Sequence, residues 1–199
     1  MDGVSGITQT NHTTMYPRQI NINQFFRERI TVFPLFSLET AATMVREINQ
    51  THEFAVADAV KGKDIKQHFE QALVLPETSP VTKVQIDHLH AMLWHYNLLP
   101  NPISFNSFMA QRYTPPQKVG ISMHCDGNRF DHVIAVLVLE GGGDLYTYTD
   151  RDGSNPYRVP ANTGDCIVFD NTVLHSVVDV YAPRVTLTGR FDLAPHKGW

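Results

Sequence analysis

The sequence predicts a mainly β domain with supporting helices, an α+β arrangement, because its two halves carry different patterns. Residues 30–100 contain two helical periodicities, whereas residues 103–192 contain short β-rich runs separated by Gly, Pro, Asn and Asp. Many short strands without βαβ alternation are typical of a β-sandwich or an open barrel braced by helices. A chain of 199 residues, 42% of them hydrophobic, is about the size of one domain. We therefore expect residues 1–199 to form a single domain.

Two helices are predicted in the first half of the chain. Ser37 can cap a helix over residues 38–49, where apolar side chains recur at helical spacing. A second helix is expected to begin after Pro80, since proline suits a first helical turn, and to end before Pro100. Both helices should cover one face of a sheet.

The other segments of the first half are less regular. Residues 1–19 are rich in Thr, Asn, Gln and Gly, and we expect them to form a loose arm. Residues 51–80 are expected to form a surface excursion with a short helix near residues 65–73. Residues 30–100 as a whole should therefore supply helical support and lid elements to the β core.

Short strands dominate the second half. The run 133–139 is apolar at every position, as expected for a strand covered on both faces. The predicted strands span residues 104–113, 120–126, 132–139, 144–149, 165–169, 175–178 and 184–192. Residues 103–192 are therefore the expected β core.

A set of metal-ligand residue types falls within this core. His124 and Asp126 are two residues apart on a predicted strand, so both side chains should project from the same face. His175 opens another predicted strand further along the chain. Two histidines and one carboxylate on one side of a metal leave other positions open, an arrangement associated with non-heme Fe(II) oxygenases. The three residues are therefore predicted to bind iron.

The last predicted strand carries an arginine that suits an anion. Alternation places Arg184, Thr186, Thr188 and Arg190 on one face. A guanidinium inside a barrel would be unfavourable without an anionic partner. A dicarboxylate supplies such a partner, because planar arginine binds a carboxylate through two parallel hydrogen bonds.

The pattern His124-x-Asp126, His175, Arg184 resembles the motif of the Fe(II)- and 2-oxoglutarate-dependent oxygenase superfamily. The match covers residues 105–192 and implies a double-stranded β-helix, also called a jelly roll. Within the superfamily, the short interval from His175 to Arg184 resembles the prolyl-hydroxylase type.

The strand before the metal motif adds to the resemblance. Gln111-Arg112-Tyr113 is similar to the lead-in strand of both prolyl-hydroxylase-type and AlkB-type members, in which a tyrosine at the position of Tyr113 hydrogen-bonds 2-oxoglutarate. Arg184-x-Thr186-x-x-x-Arg190 is similar to the AlkB-type arginine strand, although that branch has asparagines where this chain has Thr186 and Gln111.

The resemblance implies an enzyme that uses Fe(II), 2-oxoglutarate and O2. It implies that His124, Asp126 and His175 hold the iron and serve catalysis. Hydroxylation of a substrate C–H bond would accompany release of succinate and carbon dioxide. The residues implied in co-substrate binding are Arg184, Tyr113, Thr186, Thr188, Arg190 and Gln111.

The substrate class is less constrained than the chemistry. A net charge of −4 and a pI near 6.2 provide no overall positive field for a nucleic-acid backbone, so a small metabolite or amino acid is favoured. An AlkB-type demethylase of nucleic acid or protein is an alternative, with Lys61, Lys63, Lys66 and Arg112 as a basic approach. A cupin-like jelly roll that binds a metal or ligand without catalysis is another.

The sequence also bears on location. No stretch approaches the roughly 20 apolar residues of a membrane span, and the first residues lack the charged and apolar blocks of a signal peptide. Two cysteines, Cys125 and Cys166, are too few for a disulfide scaffold. We expect a cytoplasmic protein without a membrane partner, and the sequence does not indicate its oligomeric state.

Overall fold

The computed structural model describes residues 20–57, 65–126, 129–142 and 145–193. Within these ranges the chain forms helices α1 (Ile22–Glu28), α2 (Leu38–Thr51) and α3 (Pro80–His95), with a 3-10 turn at Pro76–Thr78. The strands are β1 (Ile30–Pro34), β2 (Ala55–Val56), β3 (Glu70–Leu73), β4 (Ser107–Tyr113), β5 (Gln117–His124), β6 (Phe130–Glu140), β7 (Leu145–Tyr148), β8 (Pro156–Arg158), β9 (Asp165–Asp170), β10 (Leu174–Val180) and β11 (Arg184–Asp192).

The strands form two antiparallel sheets. The major sheet has the order β1-β9-β6-β11-β4-β3-β2, and the minor sheet has the order β5-β10-β7-β8. One buried cluster lies between the sheets and includes Tyr113, Ile121 and Val177. A second cluster packs the outer face of the major sheet against α2 and α3, with Met44 and Leu93 among its members. The predicted mainly β domain with supporting helices is therefore confirmed.

The central strand β6 shows how the sequence produces these layers. Alternate side chains Ile134, Val136 and Val138 belong to the cluster between the sheets. The intervening Ala135 and Leu137 belong to the cluster under the helices. Because successive side chains of a strand point to opposite faces, a strand buried on both faces must be apolar at every position.

The two predicted helices are present, and both have defined starts. The Ser37 side chain accepts a hydrogen bond from the Thr40 amide and caps α2. Pro80 is the first residue of α3, and the carboxylate of Glu47 accepts from the amides of Val81 and Thr82. Because the first amides of a helix have no intrahelical acceptor, Glu47 both caps α3 and fixes it against α2.

The segment between these helices differs from the expectation. The predicted short helix near residues 65–73 is wrong, because residues 70–73 form β3, which pairs with β4. Lys66 and His68 hydrogen-bond through their backbones to Ser122 and Gly120 of β5, which ties this segment to the minor sheet. The first half of the chain thus supplies strands β1, β2 and β3 as well as helices.

Other differences are smaller. Helix α1 and strands β1 and β8 were not predicted, because they are short and β8 is exposed throughout. Residues 1–19 and 58–64 lie outside the described residues, so the arm and part of the excursion remain predictions. None of the helices in the described ranges has the length and hydropathy that a bilayer crossing requires.

A buried histidine makes the stability of the fold depend on pH. His90 of α3 accepts a hydrogen bond from the Phe105 amide through Nε2 at 3.0 Å, and its ring stacks on Trp94. Burial lowers the pKa of His90, with Lys83 acting in the same direction and Asp87 opposing it. The folded pKa is therefore below the unfolded value, which is about 6.5.

We expect part of the free energy of unfolding to be lost as pH falls from about 6.5 through the lowered pKa, because the unfolded chain binds the proton first. Urea unfolding at a series of pH values measures this loss. His90→Gln keeps a hydrogen-bond acceptor for Phe105 but does not titrate, so its stability should fall less steeply over the same range. Equal slopes for the two proteins would contradict this role of His90.

Candidate active site

Three potential metal ligands converge between the two sheets. His124 ends β5, Asp126 follows two residues later, and His175 lies directly opposite His124 where β10 pairs with β5. One ligand atom from each side chain lies within 4.8 Å of the others. Asp126 is beyond the strand rather than in it, because β5 spans Gln117–His124 and the predicted strand 120–126 ends two residues later than that. The side chains nevertheless share one face, as predicted.

Backbone carbonyls orient both imidazole rings. The Nδ1 atom of His124 is 2.8 Å from the Ser122 carbonyl oxygen, and that of His175 is 2.9 Å from the Val173 carbonyl oxygen. A neutral ring that donates through Nδ1 presents the lone pair of Nε2. Metal-ligating histidines in proteins are typically fixed through their second nitrogen in this way. Both rings are thus held by a backbone carbonyl, with ligand atoms that lie within 4.8 Å of each other.

The charge state of the cluster suits a cation. Burial, with a contribution from His175, lowers the pKa of His124 to about 4, so this ring is neutral at neutral pH. Burial would raise the pKa of the Asp126 carboxyl, but Arg190 and the two histidines outweigh burial and hold it below its usual range. The cluster therefore offers a neutral imidazole and a carboxylate without any proton having to be displaced from them.

A second group of polar residues lies at the start of β11. Arg184 and Tyr113 are cross-strand partners, are 2% and 1% exposed, and place the guanidinium 5.1 Å from the centre of the phenol ring. A Cβ atom at Gly120 would lie 2.6 Å from the Tyr113 ring, so glycine is required there for this arrangement. Among the described residues, the buried hydroxyl of Thr186 has no hydrogen-bond partner.

Two further residues connect this group to the metal ligands. Thr188 donates a hydrogen bond to Oε1 of Gln111 at 3.1 Å. The Nε atom of Arg190 lies 3.3 Å from Oδ2 of Asp126, and its guanidinium lies over the Phe130 ring. Arg190 is thus in contact with the metal-side carboxylate rather than with the Arg184 end.

All the predicted site residues line one cavity. Its polar members are Gln111, Tyr113, His124, Asp126, His175, Arg184, Thr186, Thr188 and Arg190. Its apolar wall is made of Ile121, Ile134, Val136, Leu145, Phe169 and Val177. The Phe169 ring lies 4.8 Å from the His175 ring and shields it on one side. An apolar wall around few polar groups strengthens their electrostatic interactions with a ligand.

These residues fit a metal and a dicarboxylate. The donor set of two imidazoles and a carboxylate, open on one side, is suited to non-heme iron. The buried Thr186 hydroxyl and the Arg184 guanidinium form a cationic, hydrogen-bonding end of the cavity, as a bound carboxylate requires.

A second ion pair beside the site was not predicted. Arg129 donates from Nε to both carboxylate oxygens of Asp192, at 3.0 and 3.1 Å, and from Nη2 at 2.6 Å. The backbone of Asp192 is in turn bound by the Asn106 side chain. The pair joins the residue that precedes β6 to the end of β11.

We expect Arg129→Ala to reduce the free energy of unfolding by about 1–3 kcal/mol, because the Asp192 side chain is 1% exposed and loses charged hydrogen bonds. Arg129 itself is 42% exposed, which keeps the loss below that of a fully buried pair. Urea unfolding is the measurement. Arg29→Ala breaks the exposed pair with Asp170 and should cost about 0–1 kcal/mol. Equal losses for the two variants would contradict the distinction.

The predicted basic approach is not formed by Arg112. Its guanidinium pairs with Glu70 and lies over the Phe54 ring, on the side of the sheet that faces α2. Lys61 and Lys63 lie outside the described residues. A separate groove of about 870 Å³ runs between β1 and the end of β8, and the metal ligands do not line it.

Comparison with known structures identifies the fold. A prolyl-4-hydroxylase from Pseudomonas putida matches with a TM-score of 0.65 and 18% identity, over 86% of this chain and 96% of that one. A prolyl hydroxylase from Trichoplax adhaerens, in complex with a hypoxia inducible factor peptide fragment, has a TM-score of 0.65 and 16% identity, over 86% and 87%. The epimerase SnoN, in complex with Fe3+, alpha ketoglutarate and nogalamycin RO, has a TM-score of 0.66 and 12% identity, over 86% and 81%. No protein-family model matches the sequence, and no curated protein matches it.

The protein therefore has the double-stranded β-helix, or jelly-roll, fold of 2-oxoglutarate oxygenase structures. The fold predicted from the resemblance is confirmed, and so, in architecture, is the resemblance to that superfamily. The similar structures include prolyl hydroxylases, the type to which the His175–Arg184 interval had pointed.

Proposed function

We propose that this protein is an Fe(II)- and 2-oxoglutarate-dependent dioxygenase that hydroxylates a C–H bond of a small molecule, with release of succinate and carbon dioxide. The observation that carries the proposal is the presence of His124, Asp126 and His175 in one cavity with the buried Arg184. The fold alone would not be sufficient, because one fold hosts many functions. The side chains in the cavity specify the chemistry.

The metal end of the cavity is suited to iron. His124 and His175 present Nε2 atoms whose rings are fixed by backbone carbonyls. Asp126 supplies an oxygen and the negative charge, and Arg190 holds its second oxygen. A carboxylate at this position occupies the coordination site that a halide would need, so hydroxylation is favoured over halogenation.

The other end of the cavity binds the co-substrate. Arg184 donates to the distal carboxylate of 2-oxoglutarate, and the Tyr113 and Thr186 hydroxyls are placed to donate to the same group. Bound Fe(II) and 2-oxoglutarate would supply the electrons that activate O2 for oxidation of an unreactive C–H bond. The chain's contribution is to orient the two ligands at fixed separation and to exclude water with the apolar wall.

An anaerobic titration tests this proposal. Fe(II) and 2-oxoglutarate, added together without oxygen, should give the visible metal-to-ligand charge-transfer band of the chelate. Fe(II) with succinate, which has the carboxylates but not the keto group, is the matched control and should give no such band. Stoichiometric iron binding without a band would contradict the assignment of 2-oxoglutarate, and failure to bind iron would contradict the metal site.

A further inference from the structure

A strip of uncharged side chains leads from the cavity across β4 to β3 of the major sheet. On β4, Tyr113, Gln111 and Met109 alternate with Ala110 and Phe108, which belong to the cluster under the helices. Met109 and Gln111 therefore face the same side of the sheet as the cavity. The pairing of β3 with β4 continues this face onto β3.

Two cross-strand rows make up the strip. In the first, Thr186 of β11 is opposite Gln111 of β4, which is opposite Gln71 of β3. In the second, Thr188 is opposite Met109, which is opposite Leu73. We call the outer residues Gln71, Leu73, Met109 and Gln111 the ledge.

Exposure rises steadily along both rows. Thr186 and Thr188 are 0% and 2% exposed, Gln111 is 9% exposed, and Leu73 is 39% exposed. Met109 and Gln71 are half-buried. The ledge thus begins inside the cavity and ends in solvent. Leu75, two residues after Leu73, is 57% exposed.

The chemistry of the ledge is specific in two respects. It carries no charged side chain, because the neighbouring charges Glu70 and Arg112 have the opposite parity and pair with each other on the helix side. Its inner end holds an amide donor, that of Gln111. The Oε1 atom of Gln111 accepts a hydrogen bond from the Thr188 hydroxyl, whereas no acceptor among the described residues contacts its Nε2 atom. Gln111 is 9% exposed, so this amide is open to a ligand at the inner end of the ledge.

We propose that the ledge is the substrate surface and that it takes an uncharged molecule with an apolar body and a carbonyl acceptor. The apolar body covers Met109 and Leu73, and the carbonyl accepts a hydrogen bond from the Gln111 amide in the cavity that the metal ligands also line. Such a surface disfavours a zwitterionic amino acid or a polyanion, because either would lose hydration against Leu73 and Met109, and no residue of the ledge carries an opposite charge. This inference rests on the proposed function and narrows its substrate class.

Three probes with the same six-carbon body test the charge preference. They are hexanamide, hexanoate and hexylammonium, added to protein that carries Zn(II) and 2-oxoglutarate and is labelled with 13C at the methionine methyl groups. Zn(II) is diamagnetic, so the methyl resonance of Met109 remains observable, and Met109→Leu assigns it. We expect hexanamide to shift this resonance with a dissociation constant at least tenfold lower than those of the two charged probes.

Variants test the two parts of the ledge separately. Leu73→Asp places a charge on an exposed position and should weaken hexanamide at least tenfold, whereas Val84→Asp, on the exposed face of α3, should leave it unchanged. Gln111→Leu should weaken the binding of hexanamide but should leave the binding of cyclohexane, tested in cyclohexane-saturated buffer, unchanged. Only the amide carbonyl requires a hydrogen-bond donor.

The outcomes separate this inference from the proposed function. Equilibrium dialysis of the same sample measures the binding of Zn(II) and of 2-oxoglutarate. Failure of the protein to bind either one would contradict the proposed function. Full loading with an unchanged Met109 resonance, or with equal affinity for the three probes, would overturn the ledge alone. A shift of Met109 by an octathymidylate oligonucleotide and not by hexanamide would also overturn it and would favour a nucleic-acid substrate.

Discussion

His175→Ala is expected to abolish stable iron binding, with a loss of affinity of about 100-fold or more, since even groups that only support metal ligands are worth about 10–100-fold. His175 lies opposite His124 and contributes one of the three side chains that converge on the proposed iron. A pair of remaining ligands holds a divalent ion far less well than three. Iron content after anaerobic equilibrium dialysis is the measurement.

The control for this prediction is a second buried histidine. His90→Gln changes a ring that is 6% exposed, as His175 is, but that lies in the cluster under the helices. It should retain full iron binding, so a general loosening of the fold is separated from loss of a ligand. If His175→Ala retained one equivalent of iron, the triad would be wrong whatever the stability of the variant.

The parts of this site that could be predicted are those fixed by local periodicity. Strand parity places Arg184, Thr186 and Thr188 on one face, and β11 is buried as that pattern requires. The same parity relates His124 to Asp126 even though the strand ends at His124. The relation survives the end of the strand, because the ligand atoms of His124 and Asp126 lie close to each other and to that of His175.

The parts that could not be predicted depend on pairing between distant segments. Nothing near His175 in the sequence specifies that β10 lies beside β5 and brings His175 opposite His124. The same holds for the ion pair between Arg129 and Asp192, whose partners come from the ends of different strands. Contacts of this kind depend on the register between paired strands, so they are seen only once the structure is known.

The error at residues 65–73 has a related cause. The segment alternates weakly, and only Ala72 of β3 is buried there on the helix side. Its strand conformation comes from backbone hydrogen bonds to β4 and β5, which are not visible in the composition of the segment itself. Tertiary pairing thus overrides a weak local preference.

Arg184→Met is expected to weaken 2-oxoglutarate binding by about 100-fold to 5000-fold, since loss of a buried charged partner costs about 3–5 kcal/mol. Methionine retains much of the apolar stem of arginine but has no donor for the distal carboxylate. Iron binding should change little, because Arg184 lies at the opposite end of the cavity from Asp126. The measurements are the 2-oxoglutarate dependence of the charge-transfer band and the iron content without 2-oxoglutarate.

Arg112→Met is the matched control, because Arg112 lies on β4, the strand that pairs with Arg184, but faces α2. It should leave both affinities unchanged. The ratio of the two effects in Arg184→Met decides the role of the residue. A large loss confined to 2-oxoglutarate assigns the guanidinium to the co-substrate, whereas equal losses of 2-oxoglutarate and iron would mean that Arg184 maintains the cavity and that the anion is held elsewhere.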